Sequence, residues 1–169
     1  AAATTIALTT TGGAAIEING AVTAAVAHLY SLEIAAGSGA VSAGGSLGTA
    51  AAPLANVTVS SAGNVSFTGG EIRAQAVSFT HTGTGSVSHA ILDPGTGSGA
   101  TVTQSGVGTL SLMSANSYSG GTTISAGTLR VGAAGAIPND TVTVDGTLDL
   151  NGISEAIGDL EGSGTITNN

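Results

Sequence analysis

The chain has 169 residues, of which 28 are glycine, 7% are charged and 2% are aromatic, and its formal net charge is −8. Without clustered Lys and Arg it cannot displace the counterions of nucleic acid, and without cysteine it can form neither disulfides nor thiolate metal sites. It also has no continuous apolar run of about 18 residues or more, the length that predicts a membrane-spanning helix. Valine, isoleucine and leucine recur in alternating patterns, so we expect an ordered all-β protein rather than a disordered one.

Alternating apolar residues begin near the N-terminus. Residues 16–18 read Ile-Glu-Ile and are followed by Asn-Gly, which predicts a half-buried strand ending in a turn. Residues 21–36 have partly helical apolar spacing, but Leu32, Glu33 and Ile34 alternate. We therefore favour a strand over a helix in this segment.

A Gly-x-Val-Ser pattern recurs through the middle of the chain. Its copies begin at Gly39, Gly63 and Gly85. Their spacing of about 22–24 residues is within the range of known repeat architectures. Further alternating runs lie between these copies, at residues 57–60, 77–80 and 100–103. Each interval is therefore predicted to contain at least two strands.

A more regular pattern follows, in which Gly-Thr precedes two apolar residues that flank a variable one. Its copies are GTLSL at 108, GTLRV at 127, GTLDL at 146 and a degraded GTITN at 164. The apolar residues share one face of a strand, and we expect the glycine to permit a sharp backbone corner. Same-sense strands at a nearly constant interval of about 19 residues indicate a coil that stacks upon itself, since hairpins would alternate in direction.

These patterns predict an all-β parallel β-helix of about seven rungs, each of roughly 18–26 residues. Strands should start near residues 13, 39, 63, 85, 108, 127, 146 and 164. We expect one domain over residues 1–169, with longer irregular rungs over 1–105 and regular rungs of about 19 residues over 106–169.

The regular copies make the register of stacking testable. The leucines of the first three copies and the isoleucine of the fourth should form a column inside the coil: Leu110, Leu129, Leu148 and Ile166. The preceding threonines should form an outward column: Thr109, Thr128, Thr147 and Thr165. Arg130 should lie one rung from Asp149, close enough to pair.

Three segments carry a family resemblance: NSYSGGTTI at 116–124, AGTLRVG at 126–132 and GTLDLNG at 146–152. With GTL at 108–110, they resemble the passenger-associated transport repeat of bacterial autotransporters. The resemblance implies a right-handed parallel β-helix in a secreted or surface-displayed protein, with a repeat that assists export by folding outside the cell. It also implies a downstream outer-membrane barrel, which we do not find in this sequence. We therefore expect either a fragment of a longer passenger or a free-standing relative, with Tyr118 packed at a corner.

The acidic residues near the C-terminus are the candidates for an enzyme that acts on carbohydrate. Glycoside hydrolysis needs paired carboxylates and usually aromatic platforms for the sugar, but the chain has no Trp. Asp149 alternates with leucines, so it should point outward on its strand, and a solvated acidic face outweighs an active site. The six candidates are Asp140, Asp145, Asp149, Glu155, Asp159 and Glu161.

The histidines are the other candidates for chemistry. His28, His81 and His89 have no carboxylate nearby at metal-ligand spacing, and His81 and His89 are predicted to lie on different rungs. We expect exposed or hydrogen-bonded side chains rather than ligands. The sequence therefore predicts no catalytic, cofactor-binding or metal-binding residue and no cofactor, and adventitious calcium at the acidic end stays open.

Two functions remain in near balance. The first is a non-enzymatic, extracellular structural or adhesive β-solenoid of the autotransporter-passenger type, and the second is a self-assembling extracellular filament subunit that stacks end to end. A carbohydrate-active β-helix enzyme is disfavoured. The expected partners are further copies of the chain at its open ends, or a host or cell-surface glycan or protein. Nucleic acid is not expected, and the expected location is the bacterial cell surface or the extracellular space.

Overall fold

The structure is a computed structural model and describes residues 4–60, 63–95, 97 and 99–169. These residues form seventeen β-strands, and among them we find no helix that is long and apolar enough to cross a membrane. In chain order the strands are β1 (Thr4–Thr9), β2 (Ile16–Ile18), β3 (Tyr30–Ala35), β4 (Val41–Ala43), β5 (Leu54–Ser60), β6 (Val65–Phe67), β7 (Glu71–Thr80), β8 (Thr84–Val87), β9 (Ala90–Leu92), β10 (Thr101–Gln104), β11 (Thr109–Leu112), β12 (Thr122–Ile124), β13 (Thr128–Val131), β14 (Val142–Val144), β15 (Thr147–Asp149), β16 (Leu160–Glu161) and β17 (Thr165–Thr167).

The strands form two long parallel sheets. Sheet A has the order β1-β3-β5-β7-β10-β12-β14-β16, and sheet B has the order β2-β4-β6-β8-β11-β13-β15-β17. Each turn of the chain contributes one strand to each sheet, which gives eight rungs, numbered here from the N-terminus. The predicted parallel β-helix is confirmed. Its right-handed sense stays a prediction, in line with the handedness of parallel crossovers in general.

A narrow third face closes each rung between sheet B and the next strand of sheet A. In rung four it is formed by β9, which pairs with the first residues of β7. In neighbouring rungs it is reduced to single bridges, from Val22 to Leu47, from Leu47 to Ile72 and from Leu92 to Ser117. The coil is therefore three-sided, and the third side was not predicted from the sequence.

The predicted strand positions and stacking register are confirmed. The strands of sheet B begin at residues 16, 41, 65, 84, 109, 128, 147 and 165, each within three residues of its predicted start. Leu110 pairs with Leu129, Leu129 with Leu148, and Leu148 with Ile166, and the threonine column runs beside them. The three leucines are fully buried, whereas Ile166 is 46% exposed because it lies in the last rung. Seven steps between eight rungs give a rod about 34 Å long.

In the ambiguous segment 21–36, a strand forms at the residues whose alternation predicted one. Leu32 and Ile34 lie in β3 and are buried, while Glu33 between them is exposed. This alternation places β3 between β1 and β5 in sheet A. The preceding residues contain only the bridge at Val22 and no helix.

The predicted equivalence of Gly39, Gly63 and Gly85 is wrong at its last member. Val41 stacks on Val65, and Val65 stacks on Gly85, so Gly83 is the true counterpart of Gly63. The step from rung three to rung four is therefore shorter than the sequence pattern indicated. Gly85 replaces an inward-facing valine.

Each Gly-Thr copy requires a glycine mainly because a side chain would not fit at that position. A methyl group at Gly108, Gly127, Gly146 or Gly164 would lie less than 3.0 Å from a backbone atom of the preceding rung. Of these four, only Gly127 has a left-handed φ, at 62°. The expected conformational role therefore applies to Gly127, while at the other three the missing Cβ lets successive rungs approach closely.

Candidate functional site

Asn116 connects three successive rungs at the third face. Its side-chain Oδ1 accepts a hydrogen bond from the N–H of Ile91 in the preceding rung at 2.8 Å. Its Nδ2 donates to the carbonyl of Ala136 in the following rung at 2.6 Å, and its backbone N–H donates to Gly135 at 2.8 Å. The side chain thus replaces the ladder hydrogen bonds that the narrow third face does not provide.

Tyr118 lies at the corner between the third face and sheet A, as predicted. It is 1% exposed, and its hydroxyl is 2.7 Å from the hydroxyl of Thr122, the first residue of β12. Removal from solvent raises the pKa of Tyr118 well above its usual value. The side chain therefore belongs to the core and is not available to bind a ligand.

Asp93, which follows β9, is hydrogen-bonded to Ser119 in the next rung. Its Oδ1 accepts from the N–H of Ala100 at 2.8 Å and from the N–H of Ser119 at 2.9 Å, while its Oδ2 accepts from the Ser119 hydroxyl at 2.7 Å. Desolvation alone would raise the pKa of Asp93, but the hydrogen bonds from the Ser119 side chain and the two N–H groups outweigh it. The pKa therefore lies below its usual value.

Asp149 is ion-paired and hydrogen-bonded, whereas a solvated side chain was expected. It lies in register with Arg130, and the predicted pair is confirmed by a distance of 3.3 Å from Arg130 Nε to Asp149 Oδ2. Its Oδ1 accepts from the N–H of Asn151 at 3.0 Å and of Asn169 at 3.3 Å, and the residue is 9% exposed. The Asn151 hydrogen bond is the main cause that lowers the pKa of Asp149, and Asn169 and Arg130 contribute less.

Three of the other predicted acidic candidates also bind backbone groups. Asp140 accepts from the N–H of Thr141 at 2.7 Å, Asp145 accepts from Ser163 at 3.1 Å, and Glu155 accepts from Gly135 at 2.9 Å and Ile137 at 2.6 Å. Asp159 and Glu161 are exposed. Among the described residues no group of three or more His, Cys, Asp or Glu side chains is placed to hold a metal ion. Asp145 and Glu155 therefore act as acceptors that connect rungs, whereas Asp140 bonds the next residue along the chain.

The prediction that His81 and His89 lie on different rungs is wrong, because they flank β8 within rung four. Both are fully buried. The Nε2 of His81 is 3.2 Å from the Thr109 carbonyl, and that of His89 is 2.8 Å from the Gly45 carbonyl, so the predicted hydrogen bonding is confirmed. Burial lowers the pKa of His81, and the bond to Thr109 offsets part of this effect.

Residues 102–131 match the family model of the passenger-associated transport repeat. Over 68 residues the chain is 41% identical to the Adhesin BmaC autotransporter of Brucella suis biovar 1 (strain 1330). The chain carries an autotransporter passenger repeat. The alignment covers 38% of the chain and spans only 2% of the length of that adhesin. No solved structure matches the chain.

The passenger repeat spans the strands of rungs five and six, from β10 to β13. Asn116, Tyr118 and Gly127 all lie within the matched residues. The resemblance seen in the sequence is confirmed, and the extracellular or cell-surface location that it implies agrees with both findings. Tyr118 and Gly127 were singled out from the sequence, whereas Asn116 was noted only as part of the motif and Asp93 was not singled out.

Proposed function

We propose that this chain is a non-catalytic segment of a surface-displayed autotransporter passenger, and that it acts there as an adhesive or spacing element. The main supporting observation is a continuous stack of eight parallel rungs that includes the passenger repeat. The adhesive role is supported by the aligned relative, whose name describes an adhesin. Stacked rungs hold surface residues in a fixed, extended array, which suits attachment to a large partner better than conversion of a small substrate.

The outer face of sheet A supports a glycan or protein partner. Five hydroxyl side chains lie in register on successive strands and are half-buried: Thr58, Ser78, Thr103, Thr123 and Thr143. Each hydroxyl can both donate and accept a hydrogen bond. These five positions carry no charge, although the chain as a whole has a formal charge of −8 and the column continues to Glu33 at one end and Glu161 at the other. A neutral hydroxyl-bearing partner would therefore meet no electrostatic penalty here.

The non-catalytic part of the proposal is supported by the engaged carboxylates. Four of the six acidic candidates, Asp140, Asp145, Asp149 and Glu155, already accept hydrogen bonds from the backbone. A general acid or nucleophile must instead be free to reach substrate. If the wild-type chain released reducing sugar from a polysaccharide and the Asp149→Asn variant did not, the non-catalytic part of the proposal would be overturned.

Adhesion is tested with beads that carry the purified chain. We expect coated beads to attach to cultured cells or to immobilised cell-surface glycans more than uncoated beads do. The matched control is Leu129→Asp, which puts a charge at a fully buried position and should prevent folding. Equal attachment by both coats, or attachment by neither, would contradict the adhesive role.

We also propose that residues 1–169 behave as one domain. The ladders cross the boundary between irregular and regular rungs without a break, since β7 pairs with β10 and β8 pairs with β11. We expect circular dichroism and tyrosine fluorescence to report one common urea transition. Two separated transitions would show that the chain contains two domains.

End-to-end assembly is a second candidate, supported by the terminal rungs. Among the described residues, β1 pairs only with β3 and β17 only with β15, which leaves one edge of each without a described partner strand. These rungs also expose apolar side chains, with Ile6 38%, Leu160 51% and Ile166 46% exposed. Unpaired edges with apolar residues favour strand addition by another copy.

Charge opposes this assembly and gives it a sharp test. Six of the ten acidic residues lie between positions 140 and 161, and residues 1–60 contain two glutamates and no arginine or lysine. Both ends are therefore negative, and stacking should require salt to screen them. We expect fibres in electron micrographs only at high ionic strength, and none from Ile166→Glu. Isolated rods at every salt concentration would rule out the filament.

A further inference from the structure

Three polar side chains interrupt the apolar interior near the middle of the rod. His81, His89 and Gln104 are each 0% exposed. They lie in rungs four and five, where the irregular rungs meet the regular ones. A buried polar group is costly unless it is hydrogen-bonded, so each requires a physical reason.

The reason is a set of corner carbonyls that the strand ladders leave inside the coil. Gln104 Nε2 donates to Gly106 at 2.9 Å and to Gly108 at 3.3 Å. The two histidines bond the carbonyls of Thr109 and Gly45 through Nε2. Because a carbonyl can only accept, the proton of each neutral ring is on Nε2 and its Nδ1 is the unprotonated nitrogen. Both Nδ1 atoms are buried, and neither has a hydrogen-bond partner among the described residues.

The rings are surrounded by aromatic and small residues. Ring centroids are 5.7 Å apart for His89 and Phe67, 6.0 Å for Phe67 and Phe79, and 6.4 Å for Phe79 and His81. Each histidine also fills space left by a glycine, since a methyl group at Gly70 or Gly85 would collide with it. The four rings therefore form a continuous row.

Among the described residues, no acidic side chain is placed to neutralise a charge on these rings. The strands around them, β4, β5, β6, β8, β9, β10 and β11, contain no charged residue. β7 carries Glu71 and Arg73 at the end that lies near His89, where Glu71 is in register with Ala90. The Glu71 carboxylate is paired with Arg73 at 2.9 Å. Asp93, which follows β9, accepts hydrogen bonds from Ala100 and Ser119.

We propose that His81 and His89 make rungs three to five an acid-sensitive segment of the rod, in which protonation at Nδ1 places an unpaired charge beside Phe67 and Phe79 and opens the stack. This property is independent of what the rod binds. It gives a surface protein a defined point at which acid weakens the rod, between two stacks whose described residues include no buried histidine.

The direction of the pH effect follows from proton binding in the two states. Burial lowers the pKa of His81 in the folded chain, whereas the unfolded chain takes up the proton near pH 6.5, as free histidine does. Below about pH 6.5 the unfolded state therefore binds more protons, and stability is lost as pH falls toward the folded pKa. For His81, a separation of one pKa unit changes the unfolding equilibrium constant about tenfold.

The test is urea unfolding of the full chain at pH 7.5, 6.5 and 5.5. The double variant His81→Gln with His89→Gln keeps an amide donor, as Gln104 does naturally, and cannot titrate. We expect the urea midpoint of the wild-type chain to fall with pH and that of the double variant to change much less. His28→Gln, at a half-buried site outside the ring row, is the matched control and should follow the wild type. Equal pH dependence in wild type and double variant would overturn the proposal.

Nitrogen NMR of the wild-type rings keeps the proposal testable if the double variant does not fold. We expect the signal of His81 to show the neutral form with the proton on Nε2 at pH 6, while the chain remains folded. Protonation of the His81 ring in the folded chain near pH 6.5, without loss of the β8 amide protection, would overturn the proposal.

Discussion

The rungs before and after residue 105 build the same two sheets from sequences of different regularity. In the regular rungs, stacked partners follow each other at nearly equal intervals along the chain. In the irregular rungs the interval varies, from the long step between Thr4 and Tyr30 to the short step between Val65 and Gly85. Register is nonetheless continuous in both sheets through all eight rungs. Stacking therefore depends on the inward residues of each strand, and the loops at the corners absorb differences in length.

The two regions differ more in their interiors than in their ladders. The sheet B column of the regular rungs repeats leucine at Leu110, Leu129 and Leu148. The irregular rungs place Ile16, then valines, then Gly85 in the same column. Identical side chains stack without adjustment, whereas the glycine needs an imidazole from another corner to fill its space. A uniform interior thus permits a uniform repeat length.

The largest expected effect tests whether packing is equally tight in both regions. Leu129→Ala in the regular rungs and Leu32→Ala in the irregular ones each remove a side chain that is at most 1% exposed. Both should lower the free energy of unfolding by about 2–5 kcal/mol. Urea denaturation measures the two losses. Ile166→Ala is the control at a 46% exposed site and should cost under about 1 kcal/mol. A much smaller loss for Leu32→Ala would show that the irregular rungs are loosely packed.

The next effect tests what the corner glycines contribute. Gly127→Ala meets both a left-handed φ of 62° and a nearby carbonyl, so we expect a loss of about 2–5 kcal/mol. Gly39→Ala in the irregular rungs meets the close contact alone and should cost about 1–3 kcal/mol. Gly152→Ala has φ 73° but open space, and about 1–2 kcal/mol is expected. Equal losses at Gly127 and Gly152 in thermal melts would show that inter-rung contact has no effect.

A smaller effect tests the side-chain connection specific to the passenger repeat. Asn116→Ala leaves the N–H of Ile91 and the carbonyl of Ala136 without their partner, which should cost about 1–3 kcal/mol. Asn56→Ala, at an exposed site in the irregular rungs, loses one bond to Ser31 and should cost under about 0.5 kcal/mol. Similar melting temperatures for the two variants would contradict the special role of Asn116.

The features that could be predicted from the sequence are those of the locally repeated segments. The copies at Leu110, Leu129 and Leu148 specify interval, direction and inward face together, which was enough to place the pair of Arg130 and Asp149 in adjacent rungs. The third face was missed because bridges such as Val22 to Leu47 involve single residues and leave no alternating pattern. The position of Gly85 was misassigned because local pattern matching assumes that each inward site has its own side chain.

The candidate site was less accessible to sequence reasoning because its partners are distant along the chain. Asp93 contacts Ser119, which is 26 residues away, and His89 contacts Gly45, which is 44 residues away. Hydrogen bonds between rungs depend on the exact lengths of the loops between them, and those lengths vary before residue 105. The aspartates were therefore predicted to form a solvated surface, whereas several of them accept hydrogen bonds from backbone N–H groups.

The smallest expected effect concerns how the free energy of unfolding falls at acidic pH because of a carboxylate in the regular rungs. The pKa of Asp149 is lowered chiefly by the N–H of Asn151, so the folded chain holds this carboxylate ionised at a pH where the unfolded chain has protonated it. Its contribution is therefore present above the usual aspartate pKa of about 3.9 and is lost as pH falls through the folded value. Asp149→Asn should remove that part of the acid response and leave stability between pH 5.5 and 7.5 parallel to the wild type. Since His81 acts in that higher range and Asp149 only below it, acid titration of the histidine and Asp149 variants separates the middle of the rod from its regular end. A change in slope above pH 5.5 caused by Asp149→Asn would show that the two regions are coupled.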